Sequence, residues 1–188
     1  MGRWEPDARG RLQEAALDLY VEHGFEHTTV AEIAERAGLT ERTFFRHFAD
    51  KREVLFAGSE LLLDLLAHEV AAAPPATAPL DAVASALEAA GTMIQQRREW
   101  ATRRQAVIAA NPELRERELS KLAAMASVLA EGLRRRGVKD PDASLIAEVG
   151  VAALRVAFDE WLRRPGSRHL PRQIRASIGR IRDLAVGA

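Results

Sequence analysis

Cysteine is absent from the 188 residues, which excludes a disulfide scaffold, a thiolate metal centre and a cysteine nucleophile. A net charge of either sign is also missing. Lys plus Arg numbers 27 and Asp plus Glu 27, so no global field draws the chain to nucleic acid or membrane, and such a function must rest on a local patch. No apolar run reaches the roughly 18–20 residues needed to span a bilayer; Glu60, Asp64, His68 and Glu69 interrupt the longest candidate. Met1 to Pro6 has no secretory pattern, and the expected setting is soluble and cytoplasmic. Catalytic signatures are lacking as well: there is no Gly-rich phosphate loop, no G-x-S-x-G and no H-E-x-x-H. Asp159 and Glu160 are adjacent and diverge on a helix, so they make no two-acid site. His23 and His27 have metal-compatible spacing but no third ligand. No enzyme activity, cofactor or metal is expected.

What is present favours helix. Ala fills 35 positions, Arg outnumbers Lys 24 to 3, and aromatics make up only 5%. No window alternates as a strand does. The periodicity predicts an all-α chain of about nine helices. Leu12, Ala15, Ala16, Leu19 and His23 form one face of a first helix ending near Gly24. Thr29 and Glu32 have capping-box spacing at the start of a second, which Gly38 ends. Thr40 caps a third over Glu41–Phe48, and Asp50 a fourth running from Lys51 to about Ala72. Three prolines between Pro74 and Pro79 break the pattern. Helices then follow over 80–96, 100–110, from Asn111-Pro112 to Arg136, from Asp140-Pro141 to Arg164 (closed by Pro165-Gly166), and from about Pro171 onward.

The stretch from Thr29 to Phe48 is the most informative. Two short helices joined by Gly38-Leu39-Thr40 are spaced as a helix-turn-helix, whose second helix projects outward. Ile33, Ala37, Leu39 and Phe44 turn inward, with Ala34 small where the axes approach. Glu41, Arg42, Thr43, Arg46 and His47 remain outside on the third helix, with side chains suited to base edges and phosphates. A plain helical corner with solvated charges has the same geometry.

Residues 8–56 resemble the N-terminal domain of the TetR family of one-component transcriptional regulators. The resemblance rests on Ala15-Ala16-Leu17-Asp18-Leu19, Gly24-Phe25, Thr28-Thr29-Val30, Ile33-Ala34, Ala37-Gly38-Leu39 and Thr43-Phe44-Phe45-Arg46-His47-Phe48, followed by Lys51 and Leu55. It implies a DNA-binding domain over residues 1–52 and a helical effector-binding and dimerisation domain over 53–188. It further implies that Thr28 and Thr29 donate to phosphate at the start of the second helix. Glu41, Arg42 and Thr43 would lie by the bases, Arg46 and His47 by bases or phosphates, and Lys51 on a phosphate at the N-terminus of the fourth helix, with Thr40 counted in the same DNA-binding set. Phe45 counts with this set, but it lacks the hydroxyl of the Tyr the family often carries there, which leaves a ring able only to pack. Phe44 and Phe48 read as core. The implied partners are double-stranded operator DNA, a small-molecule effector and a second copy of the chain; the implied role is a repressor released from a palindromic operator. The alternative is a helical dimer that binds a small molecule or a protein and does not use its helix-turn-helix on DNA.

Residues 1–57 carry eight Lys/Arg against eleven Asp/Glu, a net of −3, unusual for a DNA-binding domain. The reconciliation expected from sequence is positional, with Arg42, Arg46, His47, Lys51 and Arg52 gathered on the reading side. The Met1–Trp4 arm is either a further groove or phosphate contact or a loose end. In the C-terminal part, the helix from Asp142 is apolar nearly all round. With the Ile174, Ile178 and Ile181 stripe it reads as a homodimer bundle using Leu145, Val149, Ala152 and Val156, or else as an intrachain core. Candidate walls of an effector pocket are Leu62, Leu65, Leu66, Met93, Trp100, Arg104, Val107, Met125, Leu129 and Phe158, all equally readable as ordinary core. A buried Arg104 among them would suit a ligand carrying an acid.

Overall fold

The computed structural model describes residues 7–164 and 169–187. These residues form nine α-helices, one short 3-10 turn and no strand. The helices are α1 (Ala8–His23), α2 (Val30–Arg36), α3 (Glu41–His47), α4 (Ser59–Ala72), α5 (Pro79–Gln95), α6 (Arg98–Ala110), α7 (Pro112–Arg135), α8 (Asp142–Arg163) and α9 (Leu170–Val186). The Met1–Trp4 arm and the Pro165-Gly166 stop lie outside the described residues.

The chain folds as two compact units that do not follow the single boundary expected after residue 52. The first joins the described residues up to Gly58 with Glu99–Glu118; the second joins Ser59–Arg98 with those from Leu119 on. In the first, Asp7 caps α1 by accepting the Gly10 N–H at 2.8 Å. Leu12, Leu17, Ile33, Phe44 and Leu55 are buried to 1% or less and form its core, joined by Val107, Ile108 and Leu114 from α6 and α7. Burial of such side chains is worth about 1.5–3 kcal/mol each.

The expected fourth helix does not begin at Lys51. Asp50 accepts from the Arg52 and Glu53 N–H groups at 2.8 and 3.2 Å, but the turn it starts is a 3-10 segment, Glu53–Phe56, which buries Val54, Leu55 and Phe56. Gly58 then takes φ +87°, a left-handed backbone that no α-helix passes through, and α4 starts afresh at Ser59.

In the second unit α5 packs against α4, α8 and α9, and α8 packs against α9. Trp161 is fully buried on α8. The Arg98 guanidinium lies 4.9 Å from its ring centroid and donates to the carbonyls of Trp161 and Arg164 at 2.5 and 2.8 Å, closing the C-terminus of α8. Arg136 holds the proline-containing loop through the carbonyls of Ala73 and Pro74 at 2.5 and 2.8 Å. Asp140 does not cap α8 as its position suggests. It accepts from Arg134 at 2.7 Å and from the Ser144 hydroxyl at 2.9 Å, while Pro141 takes the N-cap position.

Ile174 and Ile178 require a correction. They are 0% and 3% exposed within the single chain. A Cβ on Gly91 of α5 would lie 2.7 Å from the Ile174 Cδ1, so this stripe seals α9 onto α5 and is not an outer face. Ile174→Ala is therefore expected to lower the unfolding free energy by about 2–5 kcal/mol, read by denaturant titration, with the association state of the folded protein unchanged.

Candidate nucleic-acid interface

Helices α2 and α3 are set by local chemistry. Thr29 and Glu32 form the capping box at the start of α2. The Glu32 carboxylate accepts from the Thr29 N–H at 2.7 Å, and the Glu32 N–H donates to the Thr29 hydroxyl at 3.2 Å. These bonds, with a further one from the Thr29 hydroxyl, hold the carboxyl below its usual pKa. At the other end the Gly38 N–H reaches the Glu35 carbonyl at 2.9 Å and the Leu39 N–H reaches the Ala34 carbonyl at 2.8 Å. This closing turn needs the φ of +66° that Gly38 supplies. Thr40 caps α3 by accepting from the Thr43 N–H at 3.2 Å. With Ile33, Ala34 and Phe44 buried between them, the two helices expose one face of α3.

That face consists of Glu41, Arg42, Phe45 and Arg46, flanked by the half-buried Thr43 and His47. Arg42 and Arg46 carry no hydrogen-bond or ion-pair partner among the described residues. Phe45 is 56% exposed, whereas Phe44 and Phe48 are 0% and 4% exposed. An edge-on contact with Phe44, centroids 5.4 Å apart, steadies it. Arg9, which belongs to none of the motifs read above, lies beside the same face, exposed, with its guanidinium 5.7 Å from the Phe48 centroid.

Other expected contacts are placed differently. Thr28 is buried, and its hydroxyl donates to the carbonyls of Gly24 and Leu19 at 2.8 and 3.4 Å, so it faces protein. Lys51 stands at no helix N-terminus, and its ammonium turns inward onto the turn between α1 and α2. Arg52 is paired with Asp50 at 2.6 Å.

Part of the segment's acidic charge is paired with arginines, two of them from outside it. Glu22 is bound by Arg36 at 2.8 and 3.2 Å, Asp18 by Arg103, and Glu53 by Arg117 at 2.5 Å. Arg103 and Arg117 come from α6 and α7, beyond the segment whose charge looks acidic. Each exposed pair is worth at most about 1 kcal/mol, but together they leave Arg9, Arg42 and Arg46 as the cations of the outer face.

The effector-pocket candidates are divided between the two units. Trp100, Arg104 and Val107 belong to the first unit, and Leu62, Leu65, Leu66, Met93, Met125, Leu129 and Phe158 to the second. Arg104 is already satisfied: Nε donates to the Leu55 carbonyl at 2.7 Å, Glu118 lies at 2.9 Å, and the Phe56 ring is 4.9 Å away. It offers no free charge to an acidic ligand. A depression of about 490 Å³ opens elsewhere, between α4 and α7, beside Ala67, Ala71, Ser127 and Gly132. On α8 the pattern is clearer. Leu145, Ala152 and Val156 are exposed and Val149 half-buried, one stripe at steps of four, three and four; Ile181 on α9 is half-buried.

Residues 12–57 match the family model described as bacterial regulatory proteins, tetR family, and residues 77–184 match that of the MftR C-terminal domain. The chain is 27% identical over 166 residues to the proposed mycofactocin biosynthesis transcriptional regulator MftR of Mycobacterium tuberculosis, covering 87% of this chain and 84% of that one. It is 38% identical over 81 residues to the HTH-type transcriptional regulator TcmR of Streptomyces glaucescens, a match spanning 43% of this chain and 36% of TcmR. Among solved structures, a SmeT–triclosan complex superposes with a TM-score of 0.66 at 18% identity, covering 94% of this chain and 90% of SmeT; SmeT is the repressor of a Stenotrophomonas maltophilia efflux pump.

His47 tests the electrostatics of this face. Burial, then the charges of Arg46 and Arg9, hold its imidazole pKa below 6.5, so the folded head keeps it neutral near pH 7. The unfolded chain takes up that proton first, and the head loses stability as pH falls below about 6.5. Titration by NMR is expected to show a value below 6.5 that rises in Arg46→Ala and in Arg9→Ala; an unshifted wild-type value would contradict the charge crowding.

Proposed function

Because the chain belongs to the tetR family of bacterial regulatory proteins, whose members are DNA-binding transcription regulators, we propose that it acts as a homodimeric repressor that leaves a palindromic operator when a small molecule binds. The observation that carries the DNA reading is the outer face of α3. Arg42 and Arg46 stand exposed and unpaired among the described residues, beside Phe45 and Arg9, on a frame fixed by Ile33, Ala34 and Phe44. Arg46 and Arg9 are available to phosphates. Arg42 sits in the first turn of α3, where a recognition helix reaches base edges. The half-buried Thr43 and the cap Thr40 fix that turn against the groove.

Dimerisation is supported by the uncovered α8 stripe, since an apolar line at helical spacing is costly to leave in water. Two heads so joined would address half-sites one helical turn apart, about 34 Å. Effector binding is proposed for the second unit, where Leu62, Leu65, Leu66, Met93, Met125, Leu129 and Phe158 lie. The SmeT–triclosan complex supports a ligand in this fold, and the MftR C-terminal model covers most of the same residues.

Fluorescence anisotropy on labelled DNA from upstream of the chain's own gene tests the first part. Binding is expected to survive unrelated competitor DNA, to weaken with salt, and to fall by about 1–3 kcal/mol in Arg42→Ala. Equal affinity for the competitor would favour the alternative of a helical dimer that does not read DNA. For the second part, sedimentation of the double variant Leu145→Asp with Val156→Asp should show a folded monomer where the wild type is dimeric. An unaltered dimer would place the interface elsewhere.

A further inference from the structure

Lys51 stands where the family resemblance expects a phosphate contact, yet its ammonium is already committed. Nζ donates to the carbonyls of Phe25 at 2.8 Å, Thr28 at 3.0 Å and Glu26 at 3.2 Å. A lysine has three N–H donors, and all three are used. The same Nζ lies 4.5 Å from the centroid of the Phe25 ring, which is 1% exposed. The backbone of Lys51 is held as well: its carbonyl accepts from the Tyr20 hydroxyl at 2.6 Å, and the Tyr20 and Phe25 rings meet edge to face at 5.2 Å. Burial of Tyr20 and the nearby Asp50 carboxylate both keep that phenol in its neutral, donating form.

The three carbonyls belong to the connection between α1 and α2. Its own backbone bonds are few: the Gly24 N–H to Tyr20 and the Thr28 N–H to Phe25 at 3.1 and 3.3 Å. Three carbonyl oxygens converging on one point repel one another unless a cation sits among them. The cation here reaches the connection from residue 51, just past α3. It therefore ties the entry to α2 to the exit from α3, and so fixes the pair of helices at both ends.

We propose that Lys51 is a positioning residue: it makes no phosphate contact, and its ammonium, seated among the Phe25, Glu26 and Thr28 carbonyls, sets the angle at which α2 and α3 leave α1. The part of this inference that concerns DNA rests on the operator-binding role proposed above; the part that concerns the α1–α2 connection stands without it.

The test uses the full chain with Lys51→Met, Lys51→Arg and Tyr20→Phe, each studied well below its unfolding temperature. Anisotropy on the operator fragment is followed as a function of salt, and amide hydrogen exchange is followed without DNA. Removing a phosphate contact lowers the slope of log K against log salt by about 0.9 per head. The expected result is weaker binding at every salt concentration with the slope unchanged, and faster exchange over residues 24–30. Arginine is not expected to rescue, because the three carbonyls converge on a single nitrogen, which a planar fork that spreads its donors cannot replace. Tyr20→Phe should reproduce the effect in milder form with every charge kept. The proposal is overturned if Lys51→Met lowers the slope by about 0.9 per head, if Lys51→Arg binds like the wild type, or if exchange over 24–30 does not change. If the wild type binds no DNA, the operator reading fails, and the exchange data alone decide whether Lys51 holds the turn.

Discussion

Two helices of seven residues each cannot persist alone in water, where about 12–15 residues are marginal even for good helix formers. The placement of the exposed α3 face therefore depends on burial of Ile33, Ala34 and Phe44 where α2 meets α3. The Thr29–Glu32 box, the Gly38 turn and the Thr40 cap satisfy the backbone groups that so short a pair leaves open. Once Phe44 is inward, helix periodicity leaves Glu41, Arg42, Phe45 and Arg46 no choice but to face out.

Charge is arranged on the same frame. A segment with a net of −3 exposes Arg9, Arg42 and Arg46 beside a single acid of that face, Glu41, while several of its other acids are engaged: Glu32 in a cap, Glu22 with Arg36, Asp50 with Arg52, and Asp18 and Glu53 with arginines from α6 and α7. These links also explain why Glu99–Glu118 belongs to the first compact unit. Arg104, on the Leu55 carbonyl and Glu118, adds a further tie between the same elements. The helix that sequence order would give to the C-terminal part is built into the N-terminal one.

Helix number, the capping box, the helix-turn-helix and the family were legible in the sequence because each is a local pattern: three- and four-residue steps, a Thr three positions before a Glu, a Gly at a required positive φ. Placement of individual site residues was less so. Thr28 and Thr29 are neighbours of one residue type, yet one hydroxyl is buried against Gly24 and the other caps α2. Phe44 and Phe45 divide in the same way, one in the core and one in solvent. Periodicity marked Ile174 and Ile178 as a buried stripe, but it could not say whether α5 of the same chain or a second chain covers them.

The sequence by itself determined what is encoded within a turn or two of helix: which segments are helical, where they start and stop, and which motif carries the resemblance. The tertiary structure alone decided which partner each long side chain finds. Lys51 reaches back 25 residues to Glu26, Arg103 reaches 85 to Asp18, and Arg117 reaches 64 to Glu53. A flexible cation takes whichever carbonyl or carboxylate the packed helices bring near, and that proximity is set by burial of residues distant in the chain rather than by its own neighbours.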